Sequence, residues 1–186
     1  FYDKVKMFSL TQALKKKTVE EIFASDSKPT LQYLKSYGFS DQIISYFFKP
    51  FFRGIFLEPH LNTSSRMFEF VFKMFSMGNA AVPAKGMGEI PKMLWQQLSR
   101  TQIHFGKKVK EVRQGFIELD NGESLAADRI IIATQPDQVM EQLQGQFPKP
   151  KFVTNCYFTT QKSFMARPMI GLIPGEGRLI NNMVFM

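Results

Sequence analysis

Over the first eighty residues the apolar positions recur at three- and four-residue intervals, and the polar breaks between them mark a series of short helices. Thr18 and Glu21 have capping-box spacing ahead of Ile22 and Phe23. Thr30 can cap a helix over 31–37, and Gly38 follows in the position that favours a left-handed backbone. Ser40 and Asp41 open a helix over 42–48, after which Pro50 is expected to bend or restart the chain. Residues 63–65 precede a longer helix over 66–77, closed by Gly78. Two apolar rows run along it, Met67, Val71, Met74 and Phe68, Phe72, Phe75, so it is expected to be largely buried or to line a cavity. The stretch 46–57 (YFFKPFFRGIFL) is equally aromatic. For Phe68, Phe72 and Phe75, core packing and a place in a substrate pocket both stay open, because ligand pockets are mostly apolar.

The pattern changes at Val82. A loop over 82–88 carries Gly86 and Gly88, and after it Ile90, Leu94 and Leu98 repeat every four residues on one helix face. Pro91 suits the first turn of that helix, where no amide donor is needed. Strands are then predicted over 103–105, 108–113, 116–119 and 123–126, with Asn121-Gly122 as a hairpin turn. The run 129–133, with three consecutive isoleucines, predicts a strand covered on both faces, as in a parallel sheet. A short helix over 137–143 and strands over 152–160 and 168–173 follow, and the last residues, 183–186, are again strand-like. The fold class is therefore mixed, α+β or α/β: helices, then a mixed segment, then strands. One compact fold, or a chain crossing twice between two domains, would give this order.

Composition narrows the function classes. The chain has 186 residues, 44% hydrophobic and 22% charged, which is the profile of a globular protein and not of a disordered one. Twenty Phe and eleven Met supply large apolar side chains for a core or a pocket. The net charge of +8, together with the segment Lys49-Pro50-Phe51-Phe52-Arg53, would suit a non-enzymatic binding module for a membrane surface or nucleic acid. Acidic residues sit close to most of the basic groups, so the charge reads as a solvated surface and no nucleic-acid partner is expected. One cysteine, Cys156, excludes an intramolecular disulfide and a cysteine-based metal site. His60 and His104 share no ligand spacing, and no metal is expected. No signal peptide is visible, and no window approaches the ~20 apolar residues of a membrane span. A cytoplasmic location is expected, with peripheral membrane contact as its variant.

No familiar catalytic constellation is present. The run Gly86-Met87-Gly88-Glu89-Ile90-Pro91 departs from the dinucleotide fingerprint, since Pro91 stands where the third glycine belongs and no strand leads into it. A glycine loop entering a helix can still let a ligand approach the backbone closely. Catalytic residues stay unassigned.

Motif order carries further. Residues 82–98 (VPAKGMGEIPKMLWQQL), then 109–112, then 115–136 (GFIELDNGESLAADRIIIATQP) resemble the middle of the flavin-containing amine-oxidoreductase superfamily. That superfamily includes amine oxidases, protoporphyrinogen oxidase and phytoene desaturases. Residues 52–57 (FRGIFL) and 63–66 (TSSR) are similar to the helical part of bacterial members related to phytoene desaturases. The resemblance implies FAD as the cofactor of the full-length protein, with Val109 at its adenine half through the backbone. It also places Ala133 and Thr134 near the nucleotide and Gly86 and Gly88 in the turn beside it. Lys85 stands where the family has the first glycine of a pair. The implied organisation is a helical part of a substrate domain (1–80), an excursion into an FAD-binding, Rossmann-like domain with a β-meander (81–145), and substrate-domain strands (146–186). The family's Gly-x-Gly-x-x-Gly unit and terminal Gly-Asp segment are not in this sequence. The chain is therefore expected to be an internal piece, inactive by itself, of an enzyme that oxidises a C–N or C–C bond of a small apolar or amine substrate. The resemblance names no particular substrate, electron acceptor or oligomeric state.

Overall fold

A computed structural model describes residues 1–145, 147, 150–163, 165, 169–175 and 177–185. The chain divides into two units, Phe1–Ala81 with Lys151–Met186, and Val82–Pro150.

The first unit is mainly helical. Its first helix, α1 (Tyr2–Lys16), escapes the sequence pattern because only Leu10 and Leu14 are buried while Val5 and Phe8 face solvent. α2 (Val19–Ala24) starts with the expected capping box, as the Glu21 amide donates to Thr18 Oγ1 at 3.1 Å and the Thr18 amide to Glu21 Oε2 at 2.7 Å. α3 (Thr30–Tyr37) ends at Gly38 with φ +88°, as expected. Thr30, however, is its first helical residue and not its cap, because the Thr30 hydroxyl donates to the Thr63 carbonyl at 2.6 Å. Ser40 caps α4 (Asp41–Ile43), and Asp3 on α1 accepts from the Ser40 amide and hydroxyl at 2.9 and 2.6 Å.

A π-helical turn, Ile44–Phe48, leads directly into α5 (Lys49–Phe56). Pro50 therefore neither bends the chain away nor restarts it. In an α-helix its ring would strike the carbonyl four residues back, and the wider turn relieves that clash. The same turn keeps Ile44, Phe48, Phe52 and Phe56, spaced by four, on one buried face. At 3.6 residues per turn such a row would drift around the helix.

α6 (Ser65–Met77) follows a Ser64 cap. Its two apolar rows are not buried along their length: Phe68 is fully buried, whereas Phe75 of the same row and Met67 and Met74 of the other are 38–47% exposed. The expectation of a largely buried helix thus holds for one face only. Phe68 packs with ring centroids 4.9 Å from Phe52, 5.5 Å from Tyr33 and 5.8 Å from Phe48. These rings join Leu10, Leu14, Leu34, Phe39, Ile44, Phe56 and Leu61 in one core. Two charged residues are buried in α6, and both are satisfied. Lys73 Nζ donates to the Leu14 and Lys15 carbonyls at 3.0 Å each, capping the C-terminus of α1. Glu69 pairs with Lys17 Nζ at 2.9 Å.

Two strands complete this unit, β4 (Ile170–Leu172) and β5 (Asn182–Val184), an antiparallel pair packed against α5. Gly54 permits that approach, since a Cβ there would meet Asn182 Nδ2 at 2.7 Å and Asn181 Nδ2 at 3.1 Å. Residues 152–160 are not the expected strand but irregular and exposed, because no described strand lies beside them to complete their hydrogen bonds. Pro168 and Met186, at the ends of two expected strands, lie outside the described residues.

The second unit begins with α7 (Glu89–Gln96), whose Ile90 and Leu94, like Leu98 after it, are exposed. β1 (Val109–Arg113), β2 (Phe116–Leu119) and β3 (Ser124–Ala126) form an antiparallel meander in that order. The Asn121-Gly122 turn joins β2 to β3, with Gly122 at φ +85° and the Leu119 amide donating to the Glu123 carbonyl at 2.9 Å. Three expected elements take other forms. Residues 103–105 and 129–133 are irregular, and 137–143 is replaced by two 3₁₀ turns, Pro136–Gln138 and Glu141–Leu143. Ile131 is 92% exposed. A strand needs at least one hydrogen-bonded neighbour, and among the described residues none flanks 129–133. The meander is present, and a parallel Rossmann sheet is not described. No helix among the described residues is long and apolar enough to cross a membrane.

Candidate functional site

The outer edge of the meander is defined by its main-chain pairing. On β2, Leu119 and Gly115 direct their main chains toward the β3 side, since the Leu119 amide donates to the Glu123 carbonyl and the Gly115 carbonyl accepts from the Ala127 amide. By alternation Glu118 and Phe116 face β1, where they pair with Glu111 and Arg113. Val109, opposite Leu119, and Val112, opposite Ile117, are then the non-hydrogen-bonded positions. Both main chains point out of the sheet. A bulge between Val109 and Glu111 keeps this register by absorbing Lys110. The Val112 amide is taken up by the Val139 carbonyl at 2.7 Å. Half-buried Val109 turns its amide to the same edge, since the carbonyl before it, that of Lys108, accepts from the Asp120 amide at 3.0 Å on the opposite side.

Next to it lies a shallow cleft of about 310 Å³, where Val112 and Gly115 face Ile130, Ile132 and Met140. It brings β1 together with the segment leading into Ala133 and Thr134, both of which are exposed. Gly86, at φ +90°, and Gly88, at the start of α7, are exposed as well, and a Cβ at either would meet nothing. Around the meander the charges pair across strands: Lys107 with Glu123 and Lys110 with Glu118, each at 2.6 Å. The hydrogen bond from Arg113 holds the Glu111 carboxyl below its ordinary range. None of these carboxylates forms a pair suited to acid–base work.

In the first unit, Phe68 sits inside the core and Phe72 is half-buried against it, their ring centroids 5.6 Å apart. Phe75, 47% exposed, leans on Phe51 at 5.4 Å. Of the three sequence candidates for a substrate pocket, Phe75 offers the most open surface, alongside Met67 and Met74.

A second cleft in this unit, about 200 Å³, was not marked by the sequence reading. It is lined by Ser45, Lys49, Pro50, Arg53, Pro59, Ile173, Gly175 and Asn181. The four-residue spacing of Ser45, Lys49 and Arg53 was a legible signal, but Asn181 reaches them only through the packing of β5 on α5. The loop beside Pro59 is tightly held. Leu57 and Leu61 flank it in left-handed conformations, φ +53° and +56°, that leucine seldom adopts. Partial burial pushes the Glu58 carboxyl up, yet the Thr63 and His60 amides and the Thr63 hydroxyl outweigh it and hold the group below its ordinary value. Elsewhere in the unit, burial, then the neighbouring Glu69 carboxylate, raises the Tyr33 phenol well above its usual range.

Among the described residues no group of three or more His, Cys, Asp or Glu side chains is placed to hold a metal ion. Comparison with curated proteins gives no match, and comparison with solved structures gives none. The family model for flavin containing amine oxidoreductase matches residues 1–162, which takes in α1 to α7, the meander and the segment after it. With most of its length matched, the chain belongs to the flavin-containing amine oxidoreductase family.

Proposed function

We propose that this chain serves an FAD-dependent oxidation of a C–N or C–C bond in an apolar or amine substrate, and that Val109 receives the adenine of the cofactor. The observation that carries the reading is the outward amide of Val109 on the edge strand, beside Val112, whose own amide is taken up by Val139. An adenine edge offers a donor beside an acceptor, and one residue's carbonyl and amide match it whatever the side chain. The exposed Gly86–Gly88 turn, with open space around both glycines, and the exposed Ala133 and Thr134 leave their backbones open to the same nucleotide. When bound, FAD would supply the hydride-accepting ring, and the protein's part is placement and exclusion of water.

The exposed apolar side chains of α6, Met67, Met74 and Phe75, support an apolar substrate wall in the first unit. No phosphate-cradling glycine unit occurs in these residues, so the chain alone is expected to hold FAD weakly and to turn over no substrate. No specific observation favours a membrane or nucleic-acid binding module.

The test begins with the visible absorption spectrum of the complete protein, where a two-banded flavin spectrum that bleaches with an anaerobic reductant is expected. Val109→Pro then removes the outward amide without breaking the ladder, since an edge strand tolerates proline there. Flavin retention should fall about tenfold, the value of roughly one hydrogen bond with its geometry. Val109→Ala and Val109→Ile should retain flavin as the parent does. Undiminished retention in Val109→Pro would remove Val109 from the site.

A further inference from the structure

We propose that the cleft between α5 and the β4–β5 hairpin binds an oxyanion, carboxylate or phosphate, that carries a hydrogen-bond donor beside it. Two observations in the same cleft point there independently. Half-buried Arg53 lines it, and among the described residues no carboxylate or carbonyl is hydrogen-bonded to its guanidinium. Asn181 Oδ1 is buried there without a partner. The orientation of that amide is fixed, because its Nδ2 donates to the Pro50 carbonyl at 2.9 Å and a carbonyl can only accept. Oδ1 therefore asks for a donor, while Arg53 asks for an acceptor.

A partly desolvated guanidinium presents a planar fork that fits a carboxylate or phosphate through two parallel hydrogen bonds. The Ser45 hydroxyl, two turns before Arg53 on the same helical row, can donate a third. A buried acceptor left unmade is costly, so a ligand hydroxyl, amine or P–OH that reaches Asn181 Oδ1 recovers that cost. At about 200 Å³ the cleft suits an acidic head group more than a whole large ligand. The site is built, since the π turn sets the Ser45–Arg53 row, Gly54 admits the asparagines, and Glu58 organises the loop that presents Pro59. The proposal rests on the first unit alone and needs no flavin.

The test uses the chain itself with three probes at constant ionic strength: glycolate, inorganic phosphate kept mainly as dihydrogen phosphate, and acetate. The side-chain N–H signals of Arg53 and Asn181 are followed by NMR. Saturable shifts are expected with glycolate or phosphate, and the stronger of the two identifies the source of the oxyanion. Acetate, which lacks the donor, should bind roughly fivefold more weakly than glycolate. Arg53→Gln should weaken binding at least about tenfold, and Arg53→Lys less. Ser45→Ala, at an exposed position, should weaken it about threefold with an unchanged melting temperature, which keeps the test decisive if Arg53→Gln fails to fold. Shifts that never saturate, that persist in both Arg53→Gln and Ser45→Ala, or that are as strong with acetate as with glycolate would overturn the proposal.

Discussion

The two units differ in what holds them. Phe1–Ala81 with Lys151–Met186 contains every described buried apolar side chain except Val112 and Leu119, and its core is a continuous stack of phenylalanines between α5 and α6. Among its described residues Val82–Pro150 buries only those two apolar side chains, while Ile90, Leu94, Leu98 and Ile131 face outward. Hydrophobic burial supplies most of the driving force for folding, and a two-residue core supplies little of it. The second unit relies instead on a hairpin ladder and on exposed cross-strand ion pairs. Strongly packed elements suit a wall, and loosely packed ones suit a surface that becomes ordered around something else.

The largest test of this contrast is paired. Phe68→Ala should destabilise the first unit by about 3–5 kcal/mol, read as a lower denaturant midpoint. Leu119→Ala should cost near the low end for such changes, about 2 kcal/mol, read by amide exchange across the meander. Equal losses would break the comparison. Next in size is Lys73→Met, which strands the Leu14 and Lys15 carbonyls and should cost about 1–3 kcal/mol, with α1 exchanging first.

A pH experiment is subtler. The Glu58 carboxyl lies below its ordinary 4.5 in the folded chain, so the folded state takes up that proton less readily than the unfolded one. Its contribution is complete above about pH 4.5 and is lost as pH falls through the lower folded value. Glu58→Gln should therefore be less stable than the parent near neutrality, and the difference should shrink on acidification. A difference that grows in acid would refute that role. The smallest effect expected is that of salt: half-molar chloride screens exposed pairs and should speed exchange in the meander while leaving the core of the first unit unchanged.

Local chemistry made much of this legible in advance. Thr18–Glu21, Gly38, Ser40 and Asn121-Gly122 act through neighbours one to four residues away, and each took the expected form. Motif order, through its resemblance to known sequences, led to the family itself. The run at 129–133 misled because a strand is defined by its partners, and no hydrophobic pattern supplies those. Residues 152–160 failed for the same reason. Pro50 misled in the opposite direction, as a π turn absorbed the clash that usually ends a helix.

The sites divide along the same line. The sequence alone marked candidates, Val109 by its likeness to a family motif and Phe68 by its period, without deciding what either does. Only the tertiary structure decided that Val109 turns its amide outward, that Phe68 is core while Phe75 is surface, and that Arg53 and Asn181 line one cleft. The reason is physical. Caps, turns and helical rows are set by contacts within a few bonds, whereas edges, exposure and cleft partners depend on which distant segments exclude water from one another.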